Sequence, residues 1–235
     1  MKRYIEVFWT PFYNIEDAAF NILTVPPKPL FPILKDHRPN SIYLQCPAVT
    51  DYCKNEYVVF CPFDLVITID RENQQVSIDR FGQAFFDKYI LNRMHQTDVQ
   101  SPAILSLPVK YLFYSNDSVE LQIADLPIIT SKSSENFKVI RAGFNIGKWV
   151  RPIELTVEVI DSSKPITMCA EDPLFLLKFK TPNEVPIKLT RVELTPELNT
   201  LSRSCTQLKK YRPKLKLAKL YELAEDYLEL FKRKK

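Results

Sequence analysis

Glycine is scarce in this chain. Gly82, Gly143 and Gly147 are the only three in 235 residues. No Gly-rich phosphate loop can be written from them, neither a GxGxxG turn nor a Walker sequence, so the usual nucleotide-binding folds are not expected. Histidine is scarcer still. The iron site of cupins and double-stranded β-helix oxygenases needs two His and a carboxylate on one strand pair. Here His37 lies in Asp36-His37-Arg38-Pro39, His95 precedes Asp98 by three residues, and neither forms a His-x-Asp pair. The five cysteines contain no CxxC. Cys46, Cys53 and Cys61 have six and seven residues between them, which is not the spacing of a zinc ribbon or knuckle, even with His37 as a fourth ligand. Nothing selects Cys46 with either His as a nucleophile and base. The expectation is free thiols in a reducing compartment, with no metal and no cofactor. No run approaches the roughly 18 apolar residues of a membrane span. The opening MKRYIEVFWTPFYN has two positive charges but no apolar core or cleavage site of a signal peptide. A soluble protein of a reducing cytoplasm, with no membrane partner, is expected.

Proline, by contrast, is abundant. Eighteen residues punctuate nearly every apolar run, which favours short strands and stiff connections. The clearest structure is Glu56 to Arg80. Leu65, Ile67 and Ile69 alternate with Val66, Thr68 and Asp70, and Val76 and Ile78 resume the pattern after Arg71-Glu72-Asn73-Gln74. Period two across a polar tetrad predicts a β-hairpin. Asp64, Asp70, Asp79 and Asp172 read as strand-end or turn residues rather than as an acid–base pair. Strand signals recur elsewhere. Arg3 to Trp9 reads as a strand, and Thr10 to Leu23 as irregular and aromatic-rich. Ser41 to Leu44 reads as a short strand, and Phe85 to Arg93 as a short helix or a strand. Leu105–Tyr114 and Val119–Ile129 flank Ser115-Asn116-Asp117-Ser118, predicting a second hairpin. Phe137–Phe144 and Ile153–Ile160 add two strands. Leu174–Phe179 and Val185–Leu194 predict a third hairpin across residues 180–184. Turn signals every 8 to 12 residues mark a β-sandwich or jelly roll.

Two segments depart from this pattern. Residues 25–39, VPPKPLFPILKDHRP, hold five Pro, which forbids a helix and favours an extended or polyproline arm, either lying on the surface or docking as a peptide. At Thr195-Pro196-Glu197 an N-cap residue, a Pro and an acid announce a helix running to about Tyr211, before Pro213. Beyond it Leu217, Leu220, Tyr221, Ala224, Tyr227, Leu228 and Phe231 recur at helical spacing, the amphipathic stripe of a partner-docking helix. From Gln207 to Lys235 there are ten Lys or Arg against four Asp or Glu, a net +6. The remaining 22 basic and 24 acidic residues give −2, so the chain's +4 is a property of this tail. A basic tail also admits nucleic acid, although four acids interrupt it. Trp149 and Arg151, after Gly143-Phe144-Asn145-Ile146-Gly147, are a candidate pocket in which the guanidinium stacks on the indole.

Cys46-Pro47-Ala48, the run Asn55 to Pro62-Phe63-Asp64, Trp149-Val150-Arg151-Pro152, Asp172-Pro173-Leu174, Phe179, and Thr195-Pro196-Glu197-Leu198 followed by Cys205 and Lys209 carry a resemblance. With these motifs in this order the chain resembles a group of uncharacterised proteins of T4-like phages of marine cyanobacteria. The resemblance implies a phage-encoded, β-rich protein made in a bacterial cytoplasm, and it supplies no catalytic residues. The sequence therefore predicts a mainly β, sandwich or jelly-roll-like domain over 1–194 and a helical C-terminal extension over 195–235. The expected function is non-enzymatic binding or assembly, within or outside a virion, with protein partners or by self-association, through the Pro-rich arm 25–39 and the amphipathic C-terminal helix. The alternatives are a cupin- or oxygenase-like enzyme with a divergent pocket and a nucleic-acid-associated factor using the basic tail.

Overall fold

The computed structural model describes residues 4–12, 24–70, 72, 75–79, 91–92, 102–127, 129, 131–212, 214–216, 218–220 and 222–226. In chain order the strands and helices are β1 (Ile5–Pro11), β2 (Lys28–Pro29), α1 (Leu30–His37), α2 (Pro47–Tyr52), β3 (Glu56–Phe60), β4 (Leu65–Asp70), β5 (Gln75–Asp79), β6 (Leu91–Asn92), β7 (Ile104–Ser115), β8 (Glu120–Ala124), β9 (Phe137–Val139), β10 (Ala142–Asn145), β11 (Arg151–Val159), β12 (Ile166–Met168), β13 (Pro173–Lys180), β14 (Ile187–Arg191) and α3 (Pro196–Tyr211). The fold is mainly β, sandwich-like, with a C-terminal helix.

Three sheets build it. One runs β14-β1-β7-β11-β9, with β6 also on β7. The second runs β10-β8-β13-β3-β2, and the third β12-β4-β5. A single hydrophobic core draws on all three, with Val7, Trp9, Leu105, Leu107, Val109, Tyr111, Phe113, Leu155 and Val157 from the first sheet, Leu121, Phe175 and Phe179 from the second, and Leu65, Ile67 and Met168 from the third. The rings of Phe113 and Phe179 meet edge to face at 5.6 Å between the first two sheets. Each such side chain, taken from water, contributes about 1.5–3 kcal/mol. The outer face of the first sheet is covered by α3, whose Leu198 and Leu201 pack on Leu112, Tyr114 and Val150. The outer face of the second is partly covered by α1, whose Leu30, Ile33 and Leu34 pack on Val58 and Leu176.

The β4–β5 hairpin forms as expected, with Asp70 opposite Gln75 and Ile67 opposite Ile78. Leu65, Ile67 and Ile69 are buried while Thr68 and Asp70 are exposed. The helix start at residue 195 is also as expected: Thr195 Oγ1 accepts the Leu198 N–H at 3.2 Å.

Other expectations are corrected. β7 and β8 do not form a hairpin, since they belong to different sheets, and neither do β13 and β14. Both turns carry the chain across the sandwich. β14 instead lies parallel to β1, Ile5 opposite Ile187. The segment read as one strand from 137 to 144 breaks at Ile140-Arg141, with β9 in the first sheet and β10 in the second. Turn residues determine that a chain reverses, not which sheet receives the next strand. Residues 42–45 are a 3₁₀ turn rather than a strand. The Pro-rich arm contains a helix after all. α1 begins directly after Pro29 and holds Pro32 in its first turn, where a backbone N–H has no helical partner to lose. Of the irregular stretch 10–23, residues 13–23 lie outside the described residues, as do 85–90 and 93; Leu91–Asn92 is a strand.

Candidate functional site

The register of the second sheet sets one row of residues across its outer face. Gly143 of β10 lies opposite Gln122 of β8, Gln122 opposite Lys178 of β13, and Lys178 opposite Glu56 of β3. Alternation puts all four on the face that carries Val58 and Leu176, but beyond the reach of α1. The result is a groove of about 690 Å³ whose wall also includes Tyr52, Asp125, Arg141 and Lys180. Within it Lys178 Nζ donates to Glu56 Oε1 at 2.6 Å and stands over the Tyr52 ring at 4.2 Å. The Glu56 side chain has no solvent exposure. Burial raises its pKa above the ordinary carboxylate range, and the Lys178 ammonium opposes that shift. The neighbouring Cys53 thiol is likewise pushed up, first by burial and then by the Glu56 charge.

A second recess flanks β10 from the other side. It is a cleft of about 380 Å³ between β10 and the part of β11 that β9 leaves uncovered. Its lining is largely apolar, with Ile104, Ile123, Ile140, Phe144, Trp149 and Ile153. Arg151 stands at it with its guanidinium 4.5 Å from the Trp149 ring centre and 5.5 Å from that of Phe144. Those two rings meet edge to face at 5.8 Å. Ile123, Ala142 and Gly143 line both recesses, so β10 is the rib between them.

β10 has one strand neighbour, β8, among the described residues. Ile146 N–H donates to Val119 O at 2.8 Å, in register with the β10–β8 ladder. By the alternation of an antiparallel pair, the N–H and C=O of Gly143 therefore point away from β8, toward the open edge. The loop that ends β10 is fixed by a second glycine. A Cβ at Gly147 would lie 2.1 Å from the Asp117 carbonyl oxygen, so only Gly allows these loops to touch.

The sequence-based pocket pair, Trp149 and Arg151, is thus brought together and lines a cleft. Of the apolar tail stripe, Leu220 is 2% exposed and Ala224 3%, both buried against this chain. Residues 218–220 and 222–226 are helical, and Lys148 Nζ meets Glu225 Oε1 at 3.1 Å. Leu217, Tyr221, Tyr227, Leu228 and Phe231 lie outside the described residues. So do His95, the Cys205 side chain and the basic run at 232–235.

The other candidates are dispersed. Cys46 is exposed, Cys53 sits in the cluster under α1, and Cys61 in the main core, its thiol pushed up to about 12 by burial. Among the described residues no three His, Cys, Asp or Glu side chains come together as a metal site. Asp64 accepts the Ala170 N–H, and Asp172 accepts from Ser131 and Ser133, so both brace loops. No helix among the described residues is long and apolar enough to cross a membrane.

Sequence reasoning missed Glu56 and Lys178. The signal was there: Glu56 opens EYVVF and Lys178 interrupts the apolar run of PLFLLKFK, two charges of opposite sign beside apolar residues. No protein-family model and no curated protein matches this chain.

Proposed function

We propose that the protein is a non-enzymatic binding or assembly protein that engages its partner at the open edge of β10. The observation that supports this reading is one strand whose Gly143 backbone groups turn to a side with no strand neighbour among the described residues, and a shaped recess on either side. An extended segment added there would gain main-chain hydrogen bonds to Gly143 and place alternate side chains in the two recesses. Among the described residues Leu34 of the arm and Leu220 of the tail are buried on the chain itself. The resemblance to phage proteins supports a phage-encoded role in a bacterial host, within or beside a virion.

The test is cross-linking mass spectrometry in host lysate with wild type and Gly143→Pro. Proline removes the outward N–H but no hydrogen bond to β8. The expected result is a partner whose cross-links map to residues 140–152 and that is lost in the variant. An unchanged partner set, in a variant that melts within a few degrees of wild type, would refute the reading. A nucleic-acid role instead predicts binding that weakens steeply with salt.

A further inference from the structure

We propose that the cleft at Arg151 is a binding site for a monocarboxylate with a compact apolar body, held by the Arg151 guanidinium. The proposal deepens the binding role given above and rests on it. The volume, about 380 Å³, falls in the range of small-ligand pockets, roughly 300–1,000 Å³. Such pockets are mostly apolar with a few placed polar groups, and this one has isoleucine and aromatic walls with Arg151 beside them.

Three features of Arg151 select the ligand's charged end. Trp149 and Phe144, their ring centres 4.5 and 5.5 Å from its guanidinium carbon, form a corner on one side of it and fix its position at the cleft. Among the described residues it forms no ion pair, whereas neighbouring Lys148 meets Glu225 at 3.1 Å and Arg141 meets Asp125 at 3.8 Å. Arg151 is exposed, and its planar fork matches a carboxylate through two parallel hydrogen bonds. The cleft also restricts the charge: Glu154 lines it but is paired with Lys110 at 3.1 Å, so Arg151 is the one uncompensated charge among its described lining residues and matches a single negative charge. One anionic group on an apolar body is therefore the best fit.

Such a ligand has two sources, a free acid or the C-terminal residue of a peptide. Purified full-length protein would be titrated with octanoate, phenylacetate, a tripeptide acid ending in isoleucine, and the matching neutral amides, followed by calorimetry and by tryptophan fluorescence. Trp9 is buried in the core, so Trp149 is the indole placed to report on the cleft. The expected result is saturable binding of at least one acid, tenfold or more tighter than its amide. Arg151→Gln would weaken the acid tenfold or more and leave the amide unchanged, and Arg151→Lys would fall between. Tighter binding of octanoate than of the tripeptide acid would assign the site to free acids, and the reverse order to chain termini. Equal affinity for acid and amide, no binding by any of the three acids, or an undiminished acid in a folded Arg151→Gln protein would overturn the proposal. Gly143→Pro separates the two readings. If the acids fail to bind but Gly143→Pro still abolishes partner capture, the cleft assignment falls and the edge-strand function stands.

Discussion

At the scale of single residues, burial decides which groups are reactive and which set stability. Cys46 is exposed and Cys61 is 1% exposed, with its thiol pushed up to about 12. Iodoacetamide at pH 8, read by peptide mapping, is expected to label Cys46 in the native protein and Cys61 only after denaturant is added. Glu56 offers a test by pH. Its folded pKa lies above the ordinary carboxylate value, so between the two the folded state holds more protons than the unfolded. Its contribution to stability is present below the unfolded pKa and is lost as pH rises through the folded one. Glu56→Gln should flatten this downward slope in a plot of melting temperature against pH. Lys178→Met leaves the carboxylate buried without its cation and should cost on the order of 3 kcal/mol at neutral pH by denaturant titration. Cys46 and Cys61 show why residue chemistry is hard to read from spacing. They are fifteen positions apart in the chain, yet one faces solvent and the other the core.

At the scale of elements, local signals were reliable and long-range pairing was not. The β4–β5 hairpin and the start of α3 were legible because a few adjacent residues encode them: alternating β-branched side chains around a polar tetrad, and Thr195 before Pro196. Thr195→Ala should cost about 1 kcal/mol, and Thr195→Ser much less, because the hydroxyl accepts the Leu198 N–H. The partners of β8 and β14 were not legible. Each follows a polar turn that suits a hairpin, and each crosses to the opposite sheet, since burial of Leu121 and Ile187 in the common core outweighs local pairing. α1 is not legible from proline content, because position decides the effect and Pro32 in the first turn breaks nothing. The candidate site was half legible. Trp149 and Arg151 are close in sequence, so their stacking was visible, but the row from Gly143 to Glu56 joins four strands spread over 122 positions and depends wholly on register.

At the scale of the whole molecule, the C-terminal segment is part of the packing. Removing residues 213–235 takes away the burial of Leu220 and Ala224 and the Lys148–Glu225 contact. A loss of roughly 2–3 kcal/mol follows from that burial, a fall in melting temperature of roughly 5–10 °C by calorimetry. If the truncated protein also keeps its oligomeric state and partners, the tail acts as scaffold alone. The parallel pairing of Ile5 with Ile187 has a consequence for synthesis. β1 leaves the ribosome before its parallel partner, and the strand that covers its outer side begins some 176 residues after Pro11. At translation rates of about 5–20 residues per second, β1 waits roughly 10–35 s for that neighbour. Throughout that interval one side of an apolar strand is open to any other nascent chain. The chain's first strand is therefore a point at which a chaperone would matter, long before any ligand reaches the finished fold.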